Sequence, residues 1–176
     1  MKLLLLHGHD GHPGDLLLVA EAVRSRVSPV SVVVPAGPVP LGNGRFAWWN
    51  GDDGPAGAVA SLASFFGDEP VVVAGFSQGG AVALALSGQR GVVGVASVGG
   101  FLHDPADLSE TVASLFLGHG RSDDVVDVFH AESLARRTGR LNMNTEFVLH
   151  DGGHEWPLSV TDRFVQWMAA RQGDTA

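Results

Sequence analysis

Cysteine is absent from the 176 residues, and lysine occurs once, at Lys2. The first absence excludes disulfides, thiolate nucleophiles and cysteine-ligated zinc, and it suits a reducing compartment. The second excludes Schiff-base chemistry on an internal lysine and a phosphate-binding G-x-x-x-x-G-K loop. Basic charge is scarce as well: eleven basic residues face nineteen acidic ones, for a net charge of -8, so nucleic acid is not an expected partner. No apolar run approaches the roughly 18 residues of a membrane span. Met1–Leu6 opens like a signal peptide, but His7, His9 and Asp10 interrupt it before a full apolar region forms, and a soluble, cytoplasmic chain is expected.

What is present points to a globular α/β chain. Hydrophobic residues make up 45% and charged residues 17%, and the length suits a single domain over 1–176. Six short β-branched or leucine runs recur with helical patterns between them: Lys2 to Leu6, Val30 to Val34, Pro70 to Ala74, Val92 to Val98, Ser114 to Leu117 and Thr145 to His150. Their apolar character is continuous rather than alternating, which predicts a mostly parallel sheet with helices on both faces. Helical stripes follow from Leu16, Val19, Val23 and Val27, from Val59, Leu62, Ala63 and Phe66, and from Val160, Phe164, Trp167 and Met168. Ser159 to Asp162, just after Pro157, reads as a capping box for the last helix. Pro35 to Pro55, with four prolines and five glycines, shows no periodicity and reads as an irregular loop, its aromatic cluster Phe46-Ala47-Trp48-Trp49 arguing against disorder. No segment is long enough for a separate lid domain.

Gly75-Phe76-Ser77-Gln78-Gly79-Gly80 contains G-x-S-x-G, a pattern that glycine-rich chains of this size produce by chance roughly 0.2 times. Context gives it weight. A buried strand runs into it and a small-residue helix, Ala81 to Leu86, runs out, which places Ser77 on a sharp turn at a helix N-terminus that favours developing negative charge. The bland alternative is a glycine-rich packing turn. A serine hydroxyl needs a base, and among eight histidines His154, in Asp151-Gly152-Gly153-His154-Glu155, falls between the final strand and the final helix, where the carboxyl ends of parallel strands open. His150 lies inside the strand, and His103 and His130 lack a comparable context. The base needs an orienting carboxylate, supplied by Asp123 or Asp124 after the fifth strand; spacing does not separate the two. Serine, acid, histidine is the chain order of α/β-hydrolases. An oxyanion hole needs two backbone donors: the N–H of Gln78 and, from the glycine-rich loop after the first strand, that of His9 or, second, Gly8.

Together Leu6-His7-Gly8, Gly75 to Gly80, Gly118-His119-Gly120-Arg121-Ser122-Asp123 with Val125-Val126, and Gly153-His154-Glu155 resemble, in the right order over nearly the whole chain, the phospholipase/carboxylesterase family of serine hydrolases, relatives of acyl-protein thioesterases. The resemblance implies a compact α/β-hydrolase in which Ser77, Asp123 and His154 are nucleophile, acid and base. It also implies an ester or thioester substrate, with Arg45-Phe46-Ala47-Trp48-Trp49 near it, and no cofactor. Asp124 and Asp127 depart from it, standing where relatives often have proline, and His9 takes an oxyanion-loop position often apolar or glycine. The chain starts directly at the strand feeding the oxyanion loop, so the two leading antiparallel strands of larger α/β-hydrolases are expected to be missing.

Two other classes compete. His7, His9, Asp10 and His12 crowd together as a candidate metal site, although H-x-H-D-x-H sets the aspartate one place early relative to H-x-H-x-D-H and no further ligand set follows. A noncatalytic binding protein on a hydrolase scaffold is the other, since fold does not fix function. For substrate, Trp48, Trp49 and Trp156 are expected to wall a shallow, open groove for small or short-acyl esters, with packing of the long loop as the alternative role.

Overall fold

In the computed structural model, which describes residues 1–172, the six apolar runs become strands because helices bury both of their faces. They are β1 (Lys2–Leu6), β2 (Ser31–Val33), β5 (Val71–Phe76), β6 (Val92–Val98), β7 (Leu115–Gly120) and β8 (Thr145–His150), with a separate pair, β3 (Val39–Gly42) and β4 (Arg45–Ala47), between β2 and β5. The six are paired in the order β2-β1-β5-β6-β7-β8, every pair parallel. The order reverses between β1 and β5, so the loops leaving these two strands diverge and open a crevice at their carboxyl ends.

Strand alternation explains the unbroken apolar runs. Leu4, Leu6, Val71 and Val73 face one way, into a core shared with Trp48, helix α2 (Ala56–Ser61), helix α3 (Gln78–Ala85) and Leu134 of helix α4 (Phe129–Arg140). Leu3, Leu5, Val72 and Ala74 face the other way, against helix α1 (Leu17–Arg26) and helix α5 (Leu158–Gln172). Helices cover both faces of the sheet, so its central strands are apolar on both sides.

The stripes of α1 and α5 lie as expected: Leu16, Val19, Val23 and Val27, and Val160, Phe164, Trp167 and Met168, are all buried. The middle stripe differs. Helix α2 stops at Ser61 and tightens into a 3₁₀ turn over Ala63–Phe65, a narrower winding that keeps Leu62 inside and turns Ala63 to solvent. The capping box is also corrected: α5 begins at Leu158, so Ser159 is already helical, and Thr161 bonds back to the Pro157 carbonyl through both its N–H, at 3.0 Å, and its hydroxyl, at 3.2 Å.

The segment 35–55 is not wholly irregular. β3 and β4 form an antiparallel hairpin whose two-residue turn, Asn43 (φ +52°) and Gly44 (φ +74°), has positive φ at both positions and joins the paired residues Gly42 and Arg45. Phe46 then exchanges two backbone hydrogen bonds with Gly11, of 2.9 and 3.1 Å, which tie the hairpin to the loop after β1. No helix among the described residues is long and apolar enough to cross a membrane.

Candidate active site

Ser77 stands between β5 and α3 with φ +53° and ψ −120°, backbone angles that side-chain-bearing residues rarely adopt. Its N–H bonds to the Val98 carbonyl at 2.9 Å, and its own carbonyl takes the α3 bond from Ala81 N–H. The turn is possible because its flanking glycines have no side chain: a Cβ on Gly75 would run into the Gly79 carbonyl, and one on Gly79 into the carbonyls of Leu6 and His7. Helix α3 therefore starts hard against the end of β1, which brings Ser77 beside the loop of residues 8–12. The Gln78 N–H sits ahead of the first helical bond, where a donor is free to meet a ligand.

His154 and Asp123 come together from different loops. His154 Nδ1 is 2.8 Å from Asp123 Oδ2, and Asp123 Oδ1 accepts the N–H groups of Val125 (3.0 Å) and Val126 (2.8 Å). Burial opposes ionisation of this enclosed carboxyl, but the His154 bond and charge and the two N–H donors outweigh it and hold Asp123 below the usual carboxylate range. The adjacent Asp124 is exposed, and among the described residues the carboxylate bonded to His154 is that of Asp123. The His154 ring lies 4.8 Å from that of Phe76, the residue before Ser77, and within 3.3 Å of where a Gly99 side chain would begin. With Nδ1 committed to Asp123, Nε2 is the nitrogen left for chemistry. No hydrogen bond joins Ser77 to His154 among the described residues; contacts of this kind often tighten only when a substrate binds.

Sequence reasoning passed over two side chains. Gln78 is buried and clamps the aromatic segment, its Oε1 accepting from Trp48 N at 2.8 Å and its Nε2 donating to the Trp49 carbonyl at 3.0 Å. His119, fully buried on β7, reaches the Val126 carbonyl at 2.8 Å and lies 3.2 Å from Asp123 Oδ2. An amide and an imidazole in apolar surroundings, each next to a motif residue, were the available signals.

A cavity of about 310 Å³ opens here, lined by residues 7–11 of the loop after β1, by Asp15, Leu16, Arg45 and Phe76, and by His154, Glu155 and Trp156. Gly8 and His9 both line it, and Gly8 is close enough to Ser77 that an added Cβ would sit 3.4 Å from the serine Cβ. Arg45 braces the loop, with Asp15 at 3.3 Å and Asp10 at 3.9 Å. Of the three tryptophans expected to form a wall, only Trp156 lines this cavity. Trp48 is 1% exposed, with its indole N–H on the His7 carbonyl at 2.8 Å, and Trp49 is 7% exposed; both are core residues that hold the segment down.

The histidine cluster is occupied by structural bonds. Since Gly37 N–H donates to His7 Nε2 at 3.0 Å, the ring proton is on Nδ1, which donates to the Gly8 carbonyl at 2.8 Å. Burial holds the His7 pKa below its ordinary value despite the favourable Gly8 bond. His12 caps the Pro13–Leu16 turn by accepting from Gly14 N–H through Nδ1. Two of the three histidines thus have their lone pairs turned to the backbone, and no group of three potential metal ligands occurs among the described residues.

The sequence profile of the phospholipase/carboxylesterase family matches residues 60–166, more than half of the chain and including Ser77, Asp123 and His154. Among solved structures, esterase PE8 superposes with a TM-score of 0.81 at 21% identity, over 95% of this chain and 90% of that one. The Bacillus cereus carboxylesterase gives 0.78 at 23% identity over 94% and 86%, and Zea mays acyl-protein thioesterase 2 gives 0.67 at 22% over 96% and 92%. At these identities the superpositions establish the α/β-hydrolase fold. No curated protein sequence matches significantly. On the family profile and the fold together, the chain belongs to the phospholipase/carboxylesterase family and is a carboxylesterase-like hydrolase.

Proposed function

We propose that the protein cleaves small or short-acyl carboxylic esters, or thioesters, through an acyl-enzyme on Ser77. The observation that carries this reading is the 2.8 Å bond from His154 Nδ1 to the enclosed Asp123 carboxylate, on a loop whose imidazole rests against the residue preceding a serine held at φ +53°. In the first step the Ser77 hydroxyl gives its proton to His154 Nε2 while Oγ bonds to the substrate carbonyl carbon. Asp123 stabilises the imidazolium. The carbonyl oxygen, now negative, is met by the Gln78 N–H and by the His9 N–H of the loop braced by Arg45. His154 returns the proton to the leaving oxygen or sulfur as its bond to carbon breaks. Water then loses a proton to His154 as its oxygen bonds to the acyl carbon, the bond from that carbon to Ser77 Oγ breaks, and His154 passes the proton to Oγ, releasing the acid and restoring Ser77.

Substrate size follows from the cavity. A space of about 310 Å³ edged by Asp10, Asp15, Arg45 and Glu155, with Leu16, Phe76 and Trp156 as its apolar parts, suits a small or short group better than a long acyl chain, which would run out among charges. The esterases and the acyl-protein thioesterase among the structural relatives support ester or thioester chemistry. The test is labelling by a fluorophosphonate probe: the wild type should be labelled and Ser77→Ala should not. Equal labelling of the variant, or none of the wild type, overturns the assignment. A series of p-nitrophenyl esters should show kcat/KM levelling off at short acyl chains, whereas a rise continuing to long chains overturns the size reading.

A further inference from the structure

The His119 ring has one nitrogen spoken for and one bare. Its Nε2 faces the Val126 carbonyl at 2.8 Å, and a carbonyl can only accept, so the ring proton is on Nε2. Nδ1 is buried and has no hydrogen-bond partner among the described residues. Asp123 Oδ2, the same oxygen that takes the His154 bond, lies 3.2 Å from His119 Nε2. Val126 is engaged at both ends: its carbonyl accepts from His119 while its N–H donates to Asp123 Oδ1 at 2.8 Å. The side chains of His119 and Asp123 are both fully shielded from water.

We infer that His119 is a positioning residue for the reaction, which anchors the Val126 backbone through its carbonyl, next to the N–H that meets one oxygen of Asp123, and sets its own N–H dipole beside the other oxygen. The inference rests on the proposed roles of Asp123 and His154. Its physical content is charge dispersal and aim. Three protein groups and one nearby N–H share the carboxylate's charge, and the rigid β7 backbone fixes the direction of the oxygen that faces His154. Without His119 the carboxylate loses that neighbouring dipole, and the Val126 backbone beside it loses the anchor on its carbonyl. A less dispersed carboxylate draws the imidazolium of His154 more strongly, so the histidine keeps its proton to higher pH.

The experiment is the pH profile of kcat/KM on a short-acyl p-nitrophenyl ester for wild type, His119→Gln, His119→Asn, His119→Leu and Asp123→Asn, with thermal melting of each. Glutamine can place an amide N–H near the Nε2 position, whereas asparagine and leucine cannot. Besides Asp123, the titratable or charged groups around His154 are His7, His9, Asp10, Asp15, Arg45 and Glu155 of the cavity, and the variants leave all of them in place. Expected for His119→Leu and His119→Asn is an acid limb moved up by roughly half a unit to one unit. Plateau kcat/KM should fall by about three- to tenfold, the factor that corresponds to one lost neutral hydrogen bond. His119→Gln should restore the wild-type limb. If leucine prevents folding, asparagine carries the comparison. A limb that stays put or moves down in the asparagine variant, whatever happens to its melting temperature, overturns the inference, as does a glutamine variant shifted equally. If Asp123→Asn itself retains wild-type activity, the triad reading fails. If it collapses while the His119 variants keep the wild-type limb, only the role of His119 fails.

Discussion

Asp123 and Asp124 share a side chain and a neighbourhood in the chain, yet only one is enclosed by Val125, Val126, His119 and His154. The other faces solvent. Asp123→Asn should lower kcat by on the order of 10³- to 10⁴-fold, because an amide at that position leaves the imidazole in the wrong tautomer. Asp124→Asn should leave kcat within about twofold, as exposed substitutions away from a site usually do. Steady-state kinetics on one ester ranks the pair, and equal losses would show that the acid role is not confined to Asp123. The choice between two adjacent carboxylates was not legible in spacing, since it depends on which one the loop turns inward. The same holds for His7: its place in H-x-H-D-x-H suggested a ligand, and only the fold, by bringing Gly37 against its ring from thirty residues away, shows both nitrogens used by the backbone.

Elements were legible where burial on both sides imposed a pattern, and less so where a single turn did the work. β1 and β6 occupy the predicted residues, Lys2–Leu6 and Val92–Val98, because unbroken apolar runs can serve only as central strands when helices cover both faces. The hairpin of β3 and β4 was missed: β3 is largely exposed, β4 has only three residues, and neither holds an apolar period, so the available signal was Asn43-Gly44, a pair suited to positive φ at both turn positions. That hairpin carries Arg45 and Phe46 to the loop after β1 and leads into Trp48, clamped by Gln78. Two tryptophans expected to share a role therefore part company with a third. Trp48→Ala should remove about 3 to 5 kcal/mol of stability through the cavity it leaves, read as a lower urea midpoint. Trp156→Ala should instead raise KM for the preferred ester with kcat within a factor of a few, the pattern of lost ground-state binding. A Trp48 variant of unchanged stability, or a Trp156 variant of unchanged KM, would reverse these assignments.

At the scale of the whole molecule the strand order could not be read from the runs alone, because parallel neighbours are chosen by crossover connections rather than by strand composition. The reversal between β1 and β5 puts the loop carrying His7 and the turn carrying Ser77 at one crevice, and it buries His7 in the process. At the site, stability then depends on pH through two groups with one sign. For His7 the folded pKa lies below the unfolded value of about 6.5, so between those two pH values the unfolded chain binds more protons and stability rises with pH. The physical cost is a charge in the core and a second ring proton pointed at the Gly37 N–H. For Asp123 the folded pKa lies below 3.8, so its contribution is complete above that value and is lost as pH falls through the folded pKa. Acid should therefore weaken the fold in two stages, His7 first. Urea unfolding followed from pH 8 to pH 3 should show stability declining below about 6.5, His7 contributing at most about 1.4 kcal/mol per pH unit. His7→Gln, which cannot titrate, should be less stable than wild type at pH 8 because the Gly37 and Gly8 contacts are disturbed, yet its stability should change less between pH 6.5 and 5. Parallel curves for the two proteins across that interval would place the acid sensitivity in other groups, and would mean that His7 accepts its second proton in the folded state as readily as in the unfolded one.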